Sequence, residues 1–81
     1  MSEFDTLKNM LDRNGAKFVV GTDGEGNKII TIPACEDETL VFGFNKNEEM
    51  DFVDATDDWA ECLEELRTNR VPTDEIYNIY L

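Results

Sequence analysis

The sequence predicts an α+β fold: an N-terminal helix, a four-stranded antiparallel meander, and a C-terminal helix covering one sheet face, followed by a short terminal turn. Three observations predict it. Apolar residues recur at helical spacing near both ends, they alternate with a period of two in between, and turn-forming Gly, Asn and Asp residues separate the alternating runs. With 81 residues the chain is a single domain, residues 1–81, which hides only roughly 60–65% of its unfolded surface on folding. Its 41% of apolar residues is enough for one compact core.

The elements follow in order. Ser2, with Asp5 three residues later, resembles a capping box, and Phe4, Leu7, Met10 and Leu11 then share a helical face until Asn14-Gly15 supplies a stop. Phe18 and Val20 share one face of a first strand. Thr22-Asp23-Gly24-Glu25-Gly26-Asn27 is turn chemistry leading to a second strand from Lys28, which Pro33 ends because it cannot donate to a ladder. In residues 39–44, Leu40, Phe42 and Phe44 occupy one face. Asn45-Lys46-Asn47-Glu48 turns the chain toward Met50 and Phe52, which strict alternation places on that same face. Thr56 as N-cap, Asp57 and Asp58 in the first turn, and Arg67 and Arg70 at the far end delimit the second helix, with Trp59, Cys62, Leu63 and Leu66 as its buried stripe. Pro72 closes it. Thr73-Asp74-Glu75 caps a last turn whose apolar residues Ile76, Tyr77, Ile79, Tyr80 and Leu81 dock on the domain or complete a contact with another chain.

The other sheet face is expected to carry Val19, Ile29, Thr31, Val41 and Val53 and to be a contact surface in its own right. Register decides this, since exchanging Ile29/Thr31 with Ile30/Ile32 exchanges core for surface. Cys35 and Cys62 belong to no C-x-x-C pair, which gives a zinc or thioredoxin-like site no support. Both are expected to be reduced, with Cys62 packing as a small apolar residue.

Charge narrows the function classes. Seven Lys+Arg face 19 Asp+Glu with no His, a net charge of −12. Direct binding to nucleic acid or to an anionic membrane is not expected, because both draw on positive charge. Histidine-based metal or general-base chemistry is absent, no nucleophile stands beside a base, and the glycines fit neither a P-loop nor a dinucleotide fingerprint. No enzyme, cofactor or metal site is expected. A calcium loop starting at Asp23 fails, with Lys28 where its glycine belongs and Ala34 where its bidentate Glu belongs. Loose calcium binding at Asp54, Asp57 and Asp58 is a minor alternative. No stretch reaches the roughly 18 apolar residues of a membrane span, and residues 1–5 lack the start of a secretory signal, so the chain reads as cytoplasmic.

The imbalance is local. Between positions 34 and 65 stand Glu36, Asp37, Glu38, Glu48, Glu49, Asp51, Asp54, Asp57, Asp58, Glu61, Glu64 and Glu65, against Lys46 alone. On a continuous helix, Asp57, Asp58, Glu61, Glu64 and Glu65 form a carboxylate face with one charge per ~2.4 Å, close to the ~1.7 Å per charge along a DNA duplex. A solvated face kept for solubility is the bland alternative. The three acidic segments, Glu36–Glu38, Glu48–Asp54 and Asp57–Glu65, are expected to make one continuous negative field, in which Glu48, Glu49, Asp51, Asp54, Asp57, Asp58, Glu61, Glu64 and Glu65 meet a basic protein surface.

Residues 4–15, a following β-hairpin, and Val41-Phe42-Gly43-Phe44-Asn45-Lys46-Asn47-Glu48-Glu49-Met50 together resemble the layout of small orphan proteins from phages and mobile elements of Gram-positive bacteria. In size, acidity and element order the chain is also similar to phage inhibitors that act as DNA mimics, such as uracil-DNA glycosylase inhibitor and anti-CRISPR proteins. The likeness is one of layout and charge, so no residue's role carries over from it. It implies a non-enzymatic inhibitor occupying the basic groove of a host DNA- or RNA-handling protein such as a CRISPR nuclease. The alternatives are a structural protein forming homodimers through its C-terminal aromatic tail, and an immunity protein against a basic toxin nuclease.

Overall fold

The computed structural model describes residues 2–54 and 59–80. Helix α1 spans Glu3–Asn14, and strands β1 (Val19–Thr22), β2 (Lys28–Pro33), β3 (Thr39–Phe44) and β4 (Met50–Asp54) form one antiparallel sheet in the order β1-β2-β3-β4. Helices α2 (Leu63–Thr68) and α3 (Thr73–Tyr80) follow. This is the α+β meander that the sequence predicts. No helix among the described residues is long and apolar enough to cross a membrane.

Local chemistry sets the boundaries of α1. The Ser2 hydroxyl accepts the Asp5 N–H at 3.1 Å, and Gly15 closes the helix in the left-handed region at φ 70, with Ala16 N–H bonded to the Leu11 carbonyl at 3.0 Å. Its apolar stripe, Phe4, Leu7, Met10 and Leu11, is buried. At the first hairpin, Asp23 folds back on its own turn, accepting the N–H groups of Asn27 (2.9 Å) and Glu25 (2.8 Å). These bonds hold the Asp23 carboxyl below its ordinary value.

One sheet face supplies the core. Val20, Ile30, Phe42 and Val53 lie side by side across the sheet, as do Ile32 and Leu40. Ile30, Ile32, Leu40, Phe42 and Phe44 are fully buried against the α1 stripe and against Trp59, Cys62, Leu66, Val71 and Ile76. All helices therefore cover the same face, and Ile29 and Thr31 point away from it. The expected alternation fails in β4. Gly43 pairs with Phe52 and Phe44 with Met50, which leaves Asp51 as the extra residue of a bulge. The bulge keeps Met50 on the core side and brings Val53 there as well, while Phe52 turns to the outer face and is 46% exposed. There its ring lies across Gly43, where any side chain would collide with it.

The second helix differs from expectation. Trp59, Cys62 and Leu66 are buried and Leu63 packs beside them, as the stripe predicts, but among the described residues the helix is not continuous: Trp59 is helical, residues 60–62 form turns, and α2 covers Leu63–Thr68. Thr56, Asp57 and Asp58 lie outside the described residues. Cys62 has φ −105 and ψ 11, and it is bonded to Cys35 in a disulfide spanning 27 positions. This corrects the expectation of two reduced thiols: the fold carries the end of β2 to the start of α2. The terminal turn is in fact a helix of eight residues, docked through buried Ile76 and through Tyr80, whose ring meets Phe42 edge-on at 6.2 Å. Burial, and then the charge of Glu3, push the Tyr80 phenol up.

Candidate acidic partner-binding surface

Strand polarity sorts the carboxylates into two groups. The β1–β2 and β3–β4 turns lie at one end of the sheet, and the β2–β3 connection and the end of β4 lie at the other. Between Glu48 and Asp54 runs the length of β4, roughly 15 Å, which exceeds the Debye length of about 8 Å at physiological salt. Among the described residues, the carboxylates expected to form a single continuous field are therefore shared between the two ends of the sheet.

At the turn end, Glu48 is committed to the fold. Its carboxylate pairs with Lys28, its carbonyl accepts the Phe4 N–H at 3.0 Å, and the Lys28 ammonium sits 4.6 Å from the Phe4 ring centre. The Lys28 hydrogen bond, followed by one from Ser2 and the charge of Lys28, holds the Glu48 carboxyl below its ordinary value. Glu49 receives the Asn45 side-chain amide at 3.3 Å, and Asp51 is exposed in the bulge. Lys46, the lone base of the acidic third, is in this turn and so is remote from the other group.

The opposite end is organised by the disulfide. Cys35 opens a 3₁₀ turn, Cys35–Asp37, in which Glu36 (φ 53) and Asp37 (φ 63) both adopt the left-handed region. The Cys35 N–H donates to Cys62 Sγ at 3.3 Å, and the Cα atoms of the two cysteines are 5.3 Å apart. Chain geometry then confines the Cα atoms of Glu36 and Glu61 to within roughly 13 Å of one another. Glu36, Asp37, Glu38, Glu61, Glu64 and Glu65 are exposed at or beside this junction, and exposed Asp54 ends β4 at the same end of the sheet. Among the described residues none of them forms an ion pair. Glu64 and Glu65 occupy the first turn of α2, where the helix dipole favours negative charge.

Of the site residues expected from sequence, Asp54, Glu61, Glu64 and Glu65 are thus brought to one end, and Glu48, Glu49 and Asp51 are not. Asp57 and Asp58 lie outside the described residues, so the helical charge ladder through them is not seen. Glu36, Asp37 and Glu38, expected in the negative field but not among its partner-binding residues, join the group. Their signal was the neighbouring Cys35, whose pairing with Cys62 makes them neighbours of Glu61. Among the described residues no three ligand-type side chains are arranged to hold a metal ion. The surface offers negative potential and exposed hydrogen-bond acceptors. Comparison of the chain with protein families, with curated proteins and with solved structures finds no match.

Proposed function

We propose that the protein is a non-enzymatic inhibitor that docks its disulfide-end carboxylates on the basic surface of another protein, in the manner of a nucleic-acid mimic occupying a DNA- or RNA-binding groove. The observation that carries this reading is the group Glu36, Asp37, Glu38, Asp54, Glu61, Glu64 and Glu65, exposed and without an ion-pair partner among the described residues. Holding like charges together opposes folding, and a basic partner relieves that cost on binding. The layout likeness to phage inhibitors supports the inhibitor class, with a CRISPR nuclease as one example of a target carrying such a groove. Action in the cytoplasm belongs to the same proposal. Disulfides are uncommon in that compartment, so both oxidised and reduced protein enter the test.

The test is capture from bacterial lysate followed by competition. The reading expects a partner retained at about 0.05 M salt and released at about 0.5 M salt, and displaced by excess duplex DNA. The variant Asp54→Lys/Glu61→Lys/Glu64→Lys/Glu65→Lys should lose it while keeping its fold. A partner that ignores duplex DNA, or that binds the reversed-charge variant equally well, rejects the reading.

A further inference from the structure

We propose that the Cys35–Cys62 bridge is a thiol-exchange site that admits cationic and neutral thiols and turns away anionic ones, with Cys35 as the sulfur attacked. The two sulfurs are unequal in access. Cys62 is 2% exposed, within the core, whereas Cys35 is half-buried at the head of the exposed 3₁₀ turn. The charge around them has one sign. Glu36 and Glu61 flank the two cysteines directly, Asp37, Glu38, Glu64 and Glu65 follow within three residues, and positions 31–39 and 58–66 hold no Lys or Arg. All six acids are exposed, and none of them forms an ion pair among the described residues.

The exchange runs in two balanced steps. A thiolate attacks Cys35 Sγ, the bond to Cys62 breaks, and its electron pair leaves on Cys62 Sγ, which takes a proton from water; a mixed disulfide remains on Cys35. The Cys35 N–H, 3.3 Å from Cys62 Sγ, donates to the sulfur that becomes negative. A second thiolate then attacks the outer sulfur of the mixed disulfide and frees Cys35. Two thiols are thus oxidised to one disulfide, and the bridge is reduced to two thiols. Each attacking sulfur carries its negative charge into a field of the same sign, and any further charge on the thiol offsets or adds to that repulsion. Glutathione, which keeps cytoplasmic thiols reduced, is net anionic and falls in the disfavoured class. The bridge is therefore a latch on the acidic junction that selects its reductant by charge.

Reduction rates of the intact chain by cysteamine (cationic), mercaptoethanol (neutral) and mercaptoethanesulfonate (anionic) test this. Each rate is divided by the same thiol's rate on hydroxyethyl disulfide, which cancels differences in thiol basicity. At about 0.05 M salt the ratio should fall roughly five- to tenfold with each step toward negative charge, and at about 0.5 M salt by no more than about twofold. The variant Glu36→Gln/Glu61→Gln should narrow the discrimination at low salt. Should that variant fail to fold, the salt series on the unaltered chain decides. Mass spectrometry of acid-quenched samples should find the mixed disulfide on Cys35. Equal ratios for the three thiols, a discrimination that salt leaves unchanged, or a mixed disulfide on Cys62 overturns the proposal.

Discussion

Cys35 and Cys62 are joined by a disulfide, so the acidic turn after β2 and the acidic segment before α2 form one covalently closed unit. The bond has two physical consequences: it removes loop freedom from the unfolded chain, and it holds Glu36 and Glu61 near each other against their repulsion.

Reduction should therefore cost stability in a salt-dependent way. Closing a loop of 27 residues is worth about 3.5 kcal/mol in the chain-entropy account, and delivered values run near 2–4 kcal/mol. For a domain of this size that lowers the thermal midpoint by roughly 10–30 °C. Once the bond is open, like-charge repulsion acts freely, so the midpoint of the reduced protein should climb more steeply with salt than that of the oxidised protein. Thermal scans with and without reductant across a salt series measure both effects. Superimposable scans would show that the bond contributes nothing to the fold.

Gly43 and Phe52 form a second coupled pair. A methyl at Gly43 would fall inside the Phe52 ring, so Gly43→Ala must push the ring off the sheet and should cost about 1–3 kcal/mol. Gly24, in the first hairpin turn, has open space where its side chain would be, and Gly24→Ala should change stability by less than about 0.5 kcal/mol. Urea midpoints of the two variants compare them directly. Equal midpoints would mean that Phe52 does not rest on Gly43.

Lys28 and Glu48 give a pH signature. The folded chain holds the Glu48 carboxyl below its ordinary 4.5, so the unfolded chain binds that proton more readily. The stability so contributed is complete above the unfolded value and is lost as pH falls through the lowered folded value. In carboxyl-resolved NMR titrations, Glu48 should titrate below 4.5, and Lys28→Gln should move its midpoint upward. An unmoved midpoint would show that Lys28 is not the cause.

Much of this architecture is legible in the sequence because burial writes a period into it. Leu40, Phe42 and Phe44 alternate and are buried, and Phe4, Leu7, Met10 and Leu11 recur at helical spacing and are buried. Phe52 and Val53 exchange faces because a single extra residue, Asp51, resets the alternation, and nothing in the apolar pattern marks an insertion. The disulfide is illegible for a different reason: its separation of 27 is bridged only by the completed sheet and the helices packed on it. The acidic site is half legible. Composition counts carboxylates but not ends, and Glu48 and Asp54, close in sequence, sit at opposite ends of β4.

The acidic end should also trade stability against binding. Glu36 combines a left-handed backbone, φ 53, with a negative charge among negative neighbours. A β-carbon is disfavoured in that region, and asparagine tolerates it better than glutamate does. Glu36→Asn removes both penalties and should raise stability by about 0.5–1 kcal/mol, or several degrees in thermal midpoint. Neutralising Glu38 to Gln changes charge alone and should give a smaller gain, of a few tenths of a kcal/mol. The two substitutions thus separate backbone relief from charge relief. If these acids serve a basic partner, each variant should bind it more weakly while melting higher; if they serve solubility alone, the gain in stability comes with unchanged partner capture. Paired melting and capture measurements on Glu36→Asn and Glu38→Gln distinguish the two, because only a surface retained for binding makes the more stable protein the poorer binder.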